Sequence, residues 1–238
     1  MTTSPPTMRP PDHAEIARTG GRKKVEPDPQ VRAEFVSAAT EVVRSVGVQA
    51  LSVAQLLSRT NLSTRAFYRH FDSKDQLVAA VFLEMAHAEV SRLEQRMSGR
   101  DPIGAVAAWI DGRLDIAFNQ QIRTELRQMS LEAQTQMFVT PELVAPAYRE
   151  ILRPLVQELT RGKGLRVFTD IDPDGEALSI HGVVWANVER HWATANRDPD
   201  EIRDRVQRFC LGGLGVTPTA ISAALRDVPS RPGRGSSR

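Results

Sequence analysis

Phe67-Tyr68-Arg69-His70-Phe71-Asp72-Ser73-Lys74-Asp75-Gln76-Leu77 is the stretch on which the reading of the fold turns. Phe67 and Phe71 stand four apart, the spacing that places two rings on one helical face. Tyr68 and Arg69 then fall on the other side. Ser73 followed by Gln76 is a capping box, so one helix ends near Phe71 and another opens at Ser73. Upstream, Ser52-Val53-Ala54-Gln55-Leu56 starts a short helix over Val53–Arg59. Thr60-Asn61-Leu62 makes a turn, with Asn61 in the left-handed conformation that glycine usually supplies, and a third helix follows over Ser63–Phe71. A longer helix, Pro29–Ser45, precedes this pair, and a fourth runs from Ser73 to about Met97. Val53, Leu56, Leu57, Leu62, Phe67 and Phe71 form a small core beneath, and Thr64, Arg65, Tyr68 and Arg69 face outward. Two short, steeply crossing helices with a basic second member form a helix-turn-helix, whose second helix fits a DNA major groove.

Outward from this segment the rest of the chain also reads as helix. Asp28-Pro29, Asp101-Pro102, Thr140-Pro141, Asp172-Pro173, Asp198-Pro199 and Thr217-Pro218 each place an N-cap side chain before a proline at the first helical position. Apolar residues between these starts recur at steps of three and four, as in Leu77, Val81, Met85 and Ala88, and no stretch alternates as a strand does. Pro146 and Pro154 predict a kinked or split helix over Pro141–Arg161. Gly162–Ile171 reads as a loop with a short extended piece at Leu165–Phe168. The expected fold class is all-α. The expected organisation is a basic arm over 1–27, a DNA-binding domain over 28–88, a helical effector-binding and dimerisation domain over 89–226, and a polar tail over 227–238.

Composition narrows the class. In 238 residues, 41% hydrophobic and 25% charged usage is ordinary for a globular chain and excludes wholesale disorder. Net charge is only +2, but Arg44, Arg59, Arg65, Arg69 and Lys74 meet the single acid Asp72 between positions 44 and 74. Arg22, Lys23 and Lys24 extend this basic region into the arm, where they could reach an adjacent minor groove. The lone Cys210 permits neither an intrachain disulfide nor a multi-thiolate metal site. The longest apolar run, Leu77–Leu83, is too short to span a bilayer, and Pro5, Pro6, Pro10 and Pro11 interrupt any signal-like stretch. A cytoplasmic protein with no membrane partner is expected. The histidines show no metal-ligand spacing, and no phosphate loop or nucleophile motif is present, so neither catalysis, nor a metal, nor a cofactor is expected.

The quoted segment, with Ser52–Leu56 and Leu62-Ser63 before it, resembles the DNA-binding domain of the TetR (tetracycline repressor) family, whose Tyr-x-His-Phe-x-Ser-Lys-x-x-Leu core is matched at every named position. Leu57, Thr60 and Asn61 depart from the family's usual Ala, Ala and Gly, and Arg65 stands where a small residue is common. The resemblance covers about residues 30–82. It implies a homodimeric regulator, in the usual case a repressor, that binds a near-palindromic double-stranded DNA operator and answers to a small effector. The alternative is a helical small-molecule-binding or scaffold protein that has lost DNA binding. By residue type, Thr64, Arg65 and Arg69 suit base edges, while Ser52, Ser63, Tyr68, His70 and Lys74 suit phosphate oxygens. Trp109, Arg113, Phe118, Met129, Met137 and Phe138 mix large apolar groups with a few polar ones, a composition suited to a mostly apolar effector. Leu178–Trp192 is apolar on more than one face, which predicts a dimer interface through Val184, Trp185, Val188 and Trp192, with Val206 and Phe209 on the next helix.

Overall fold

The computed structural model describes residues 28–118, 120–194 and 198–226. Arg22, Lys23, Lys24 and the 227–238 tail lie outside the described residues. Among the described residues there are ten α-helices and no strand. They are α1 (Pro29–Val46), α2 (Val53–Thr60), α3 (Thr64–His70), α4 (Lys74–Met97), α5 (Pro102–Phe118), α6 (Gln120–Val139), α7 (Pro141–Gly164), α8 (Pro173–Thr194), α9 (Pro199–Gly213) and α10 (Pro218–Arg226). A single 3-10 turn, Val48–Ala50, joins α1 to α2.

The proline-marked starts account for six of these helices, and five of the six capping side chains bond as their chemistry predicts. Asp28 and Asp198 accept from the amides of Gln30 and Asp200 at 2.9 Å, and Asp101 accepts from Gly104 at 2.7 Å. Asp172 and Thr217 accept from Gly175 and Ala220 at 3.2 and 3.4 Å. Thr140 makes no such bond. Each cap of this kind contributes about 1 kcal/mol by satisfying an amide that has no partner within the helix.

Helix α7 contains both Pro146 and Pro154 and is nevertheless one helix, not two. The expected loop is shorter at its start, because helix continues through Gly164, and Leu165–Phe168 is a turn rather than an extended piece. Phe168 folds back onto Gly162, where a β-carbon would run into its ring.

Two apolar clusters hold the chain together. The first gathers Phe35, Leu56, Phe67, Phe71, Leu77 and Val81 beneath α2 and α3, and includes Met129 of α6 and Val144 of α7. The second centres on α5 and takes in Trp109, Leu155, Phe168, Val184, Val206 and Leu211. Helix α4 enters both, with Leu77–Ala86 in the first and Leu93 and Met97 in the second. The domain boundary expected at 88/89 therefore falls inside a continuous helix.

Helix α5 is buried on every side from Gly104 to Ala117, yet it carries Asp111, Arg113 and Asp115. They are satisfied by a network. Arg203 of α9 meets Asp111 and Asp115 at 2.6 Å each, and its guanidinium lies 4.8 Å over the Phe118 ring. Arg96 of α4 meets the same two carboxylates at 2.6 and 2.9 Å. Such a network ties α4, α5 and α9 in one register, since losing one partner of a buried pair costs about 3–5 kcal/mol.

Candidate functional site

The α2–α3 pair is built from three serine caps and one left-handed residue. Ser52, Ser63 and Ser73 accept from the amides of Gln55, Ala66 and Gln76 at 3.2, 3.1 and 3.1 Å, opening α2, α3 and α4 in turn. Gln76 reaches back past the cap to accept from the Asp72 amide at 2.5 Å, one residue earlier than the Ser73 amide of the reciprocal capping box. Asn61 ends α2 at φ 54°, ψ 21°, so the expected departure from glycine is accommodated in the left-handed region. Beneath α3, Phe35 stands edge-on to Phe67 and Phe71, with ring centroids 5.5 and 6.3 Å away.

This packing fixes which side chains face outward. Thr64, Arg65 and Arg69 are exposed on α3, and Tyr68 is 58% exposed. The Tyr68 ring stands edge-on to Phe67 at 5.2 Å, so the core orients a hydroxyl-bearing group that lies mostly outside it. Ser52 and Ser63 are exposed at the mouths of α2 and α3, each with a hydroxyl proton left to donate after its oxygen has accepted the capping bond. His70 and Lys74 are half-buried at the end of α3 and start of α4. His70 Nδ1 is sealed from solvent and has no protein partner. The set thus spans α3 with its cap Ser63, the cap of α2 and the first residue of α4.

A second site lies inside the chain. A cavity of about 60 Å³ lies between α4, α5, α6, α7 and α8, with Phe82, Met85, Ile116, Met129, Tyr148 and Trp185 among its walls. That is small beside the roughly 300–1,000 Å³ typical of ligand pockets, but flexible methionine walls can re-pack. Of the six residues expected to form an effector pocket, Arg113 and Met129 line this cavity. Trp109 is fully buried in the second cluster, donating from Nε1 to the Ile151 carbonyl at 3.3 Å. Phe118 is held by Arg203 and His191, and Met137 packs on the first cluster. Phe138 is 87% exposed, outside any pocket, because it lies on the solvent side of α6.

Glu89 and Arg113 form the charged edge of the cavity, with Arg92 bonded to Glu89 from outside the lining. Arg92 grips Glu89 through two bonds at 2.9 and 2.8 Å, and Arg113 donates to Glu89 at 2.9 Å. Burial alone would raise the Glu89 carboxyl, but Arg113 and Arg92 outweigh it and hold the group below the usual carboxylate range. Burial likewise raises the Tyr148 hydroxyl. His181 stacks on Trp185 and meets Tyr148 edge-on, and burial, reinforced by Arg113, lowers its imidazole to about 3. Composition did not single out Glu89; its signal is the i, i+3 pair with Arg92 on an otherwise apolar helical face.

The expected dimer interface needs correction. Val184, Val188 and Val206 are 1%, 0% and 2% exposed within the single chain, and Trp185 both lines the cavity and bonds Glu189 through Nε1 at 2.9 Å. Trp192 is half-buried against the second cluster. Helix α8 is apolar on several faces because α5, α7 and α9 all pack on it. Of the six residues only Phe209 is strongly exposed, and Leu178 joins it.

Among the described residues no group of three His, Cys, Asp or Glu is placed to hold a metal, and no helix is long and apolar enough to cross a membrane. What the geometry defines is a helix-turn-helix DNA-binding fold joined to a helical domain with an internal cavity. Residues 35–81 match the model for bacterial regulatory proteins of the tetR family. No curated protein matches the chain by sequence. Among solved structures, RolR bound to resorcinol is similar, with a TM-score of 0.59 and 20% identity over 84% of this chain and 96% of that one. FadR from Bacillus subtilis bound to stearoyl-CoA gives 0.59 and 16% over 76% and 98%. A tetR-family regulatory protein from Rhodococcus gives 0.54 and 19% over 80% and 100%. These likenesses are of fold. The match to the tetR-family model is to the DNA-binding domain, and the rest of the chain shares the fold of these structures.

Proposed function

We propose that the chain is a transcriptional repressor that binds a near-palindromic operator as a cytoplasmic homodimer and leaves it when a small molecule occupies the cavity. The observation that carries the reading is the exposed set Thr64, Arg65, Tyr68 and Arg69 on a helix fixed from below by Phe67 and at its start by Ser63. A guanidinium at Arg65 suits the paired acceptors of guanine, and Tyr68, Ser52, Ser63, His70 and Lys74 suit phosphate oxygens. The proposed division is a DNA-binding part over 28–88 and an effector and dimerisation part over 89–226. The proposed dimer face is the outer side of α8 and α9, where Leu178 and Phe209 are 61% and 68% exposed beside the exposed Gly182, Ala186 and Gly212. Small residues at such a face let two helices approach closely.

Release follows from linkage. An effector that prefers a conformation with misplaced recognition helices weakens DNA binding by the same factor by which DNA weakens effector binding. Helix α4 is the lever, since Phe82, Met85, Ala86 and Glu89 line the cavity while its first turns pack beneath α3. Gel shifts against a pool of random duplexes test the reading: the chain should retard a fraction of the pool, and Tyr68→Ala with Arg65→Ala should not. No retardation by the intact chain would favour a helical ligand-binding protein without a DNA function.

A further inference from the structure

We infer that the cavity takes a small organic monoacid, its carboxylate paired with Arg113 and its apolar body against Trp185, Ile116 and the two methionines. This rests on the reading of the chain as ligand-responsive and names the chemical class. Three observations converge. Arg113 is 6% exposed and lines the cavity, and its Nε, sealed from solvent, donates to nothing. Its one protein partner, Glu89, is already gripped by two bonds from Arg92, so a single carboxylate serves two guanidinium groups. The nearby carboxylates Asp111 and Asp115 are engaged by Arg96 and Arg203.

A buried guanidinium with an unused donor is best satisfied when an anion completes it. Arg113 is the one cation among the described walls; Glu89, the other charged wall, is already held by Arg92 and Arg113, and the rest is mostly apolar, with Phe82, Met85, Ile116, Met129 and Trp185 beside the neutral Tyr148 and Ser130. A ligand with one acid group and a compact apolar body matches both ends. A guanidinium also holds a carboxylate through charge-assisted bonds that a neutral amide of the same shape does not form.

The test compares benzoate with benzamide, and phenylpropanoate with phenylpropanamide, by calorimetry and tryptophan fluorescence on the full-length chain. In each pair that binds, the acid should bind roughly 10–100-fold tighter than the amide. Arg113→Met should erase that preference, and Arg113→Lys should retain part of it. Glu89 stays bonded to Arg92 in both variants, and thermal melting checks that they fold. Equal binding of acid and amide by the intact chain, or binding of neither, overturns the inference without any variant. The same ligands added to the protein–DNA complex separate the two claims. Acid-selective binding that leaves DNA affinity unchanged would support the monoacid site and contradict the effector role.

Discussion

The Val48 backbone N–H donates to Glu132 Oε1 at 3.3 Å, joining two residues 84 positions apart in the chain. Val48 begins the turn that leads into α2, and Glu132 lies on α6 beside the cavity-lining Met129, Ser130 and Ala133. Gln136 donates to the same carboxylate oxygen at 3.1 Å and steadies it. Gly47, at φ +85°, lets the chain pass under this carboxylate, where a β-carbon would stand 3.2 Å from Oε2. The bond is a direct link between the cavity wall and the base of the helix-turn-helix.

Glu132→Ala should therefore speed hydrogen exchange at the Val48 amide and lower stability by about 1.5–3 kcal/mol, the scale of a hydrogen bond to a charged group. It touches none of the outward-facing residues of α3. Exchange at Val48 that is unchanged by the substitution would show that the link does not form in solution.

At the DNA surface, Arg65→Ala should cost about 1–3 kcal/mol and relax preference at one operator position. Lys74→Ala should instead weaken all sequences alike and reduce the salt-dependence slope by about one. Titrations on matched and mismatched duplexes at several salt concentrations separate the two. Equal loss across sequences for both would remove Arg65 from base recognition.

For the dimer, Phe209→Glu should leave a folded protein that sediments as a monomer and binds operator weakly, because each recognition helix holds only half a site. Trp185→Asp should unfold the chain instead, since it places an unpaired charge in the core. A folded dimeric Phe209→Glu protein would move the interface off α9.

His181 gives a pH signature. Its imidazole is at about 3 in the folded chain against 6.5 unfolded, so below pH 6.5 the unfolded state holds a proton that the folded state lacks. Stability should fall on acidification across that window by about 1.4 kcal/mol per pH unit. Glu89, whose carboxyl is lowered, adds its own loss only below its ordinary value of 4.5. Urea unfolding between pH 6.5 and 5 isolates the first effect, and His181→Phe should flatten the slope there. An unchanged slope would assign it to other groups.

The α2–α3 unit was legible in the sequence because local chemistry specifies it. Serine caps, Asn61 and the Phe67/Phe71 spacing act over a few residues, and each lies where that chemistry requires. The helix starts were legible for the same reason, although the prolines left a kinked and a split helix both open and α7 is one helix. The cavity was much less so. Trp109, Met137 and Phe138 share the composition of a pocket, but whether such a side chain meets a void, a core or solvent depends on how helices distant in sequence cross. The multi-faced apolar character of α8 had two explanations, a partner chain or three neighbours within the chain, and only packing distinguishes them. The buried network left a trace in Asp111, Arg113 and Asp115, charged residues inside a run otherwise apolar enough to be a central helix.

The central claim is that α3 reads DNA as one half of a symmetric pair. Selection of bound duplexes from a random pool by the full-length protein, followed by sequencing, tests it most directly. The account predicts enrichment of two inverted half-sites, with the preference at one position in each lost when Arg65→Ala protein is used for the selection. Enrichment of a single asymmetric site, or no enrichment above the input pool, would contradict it.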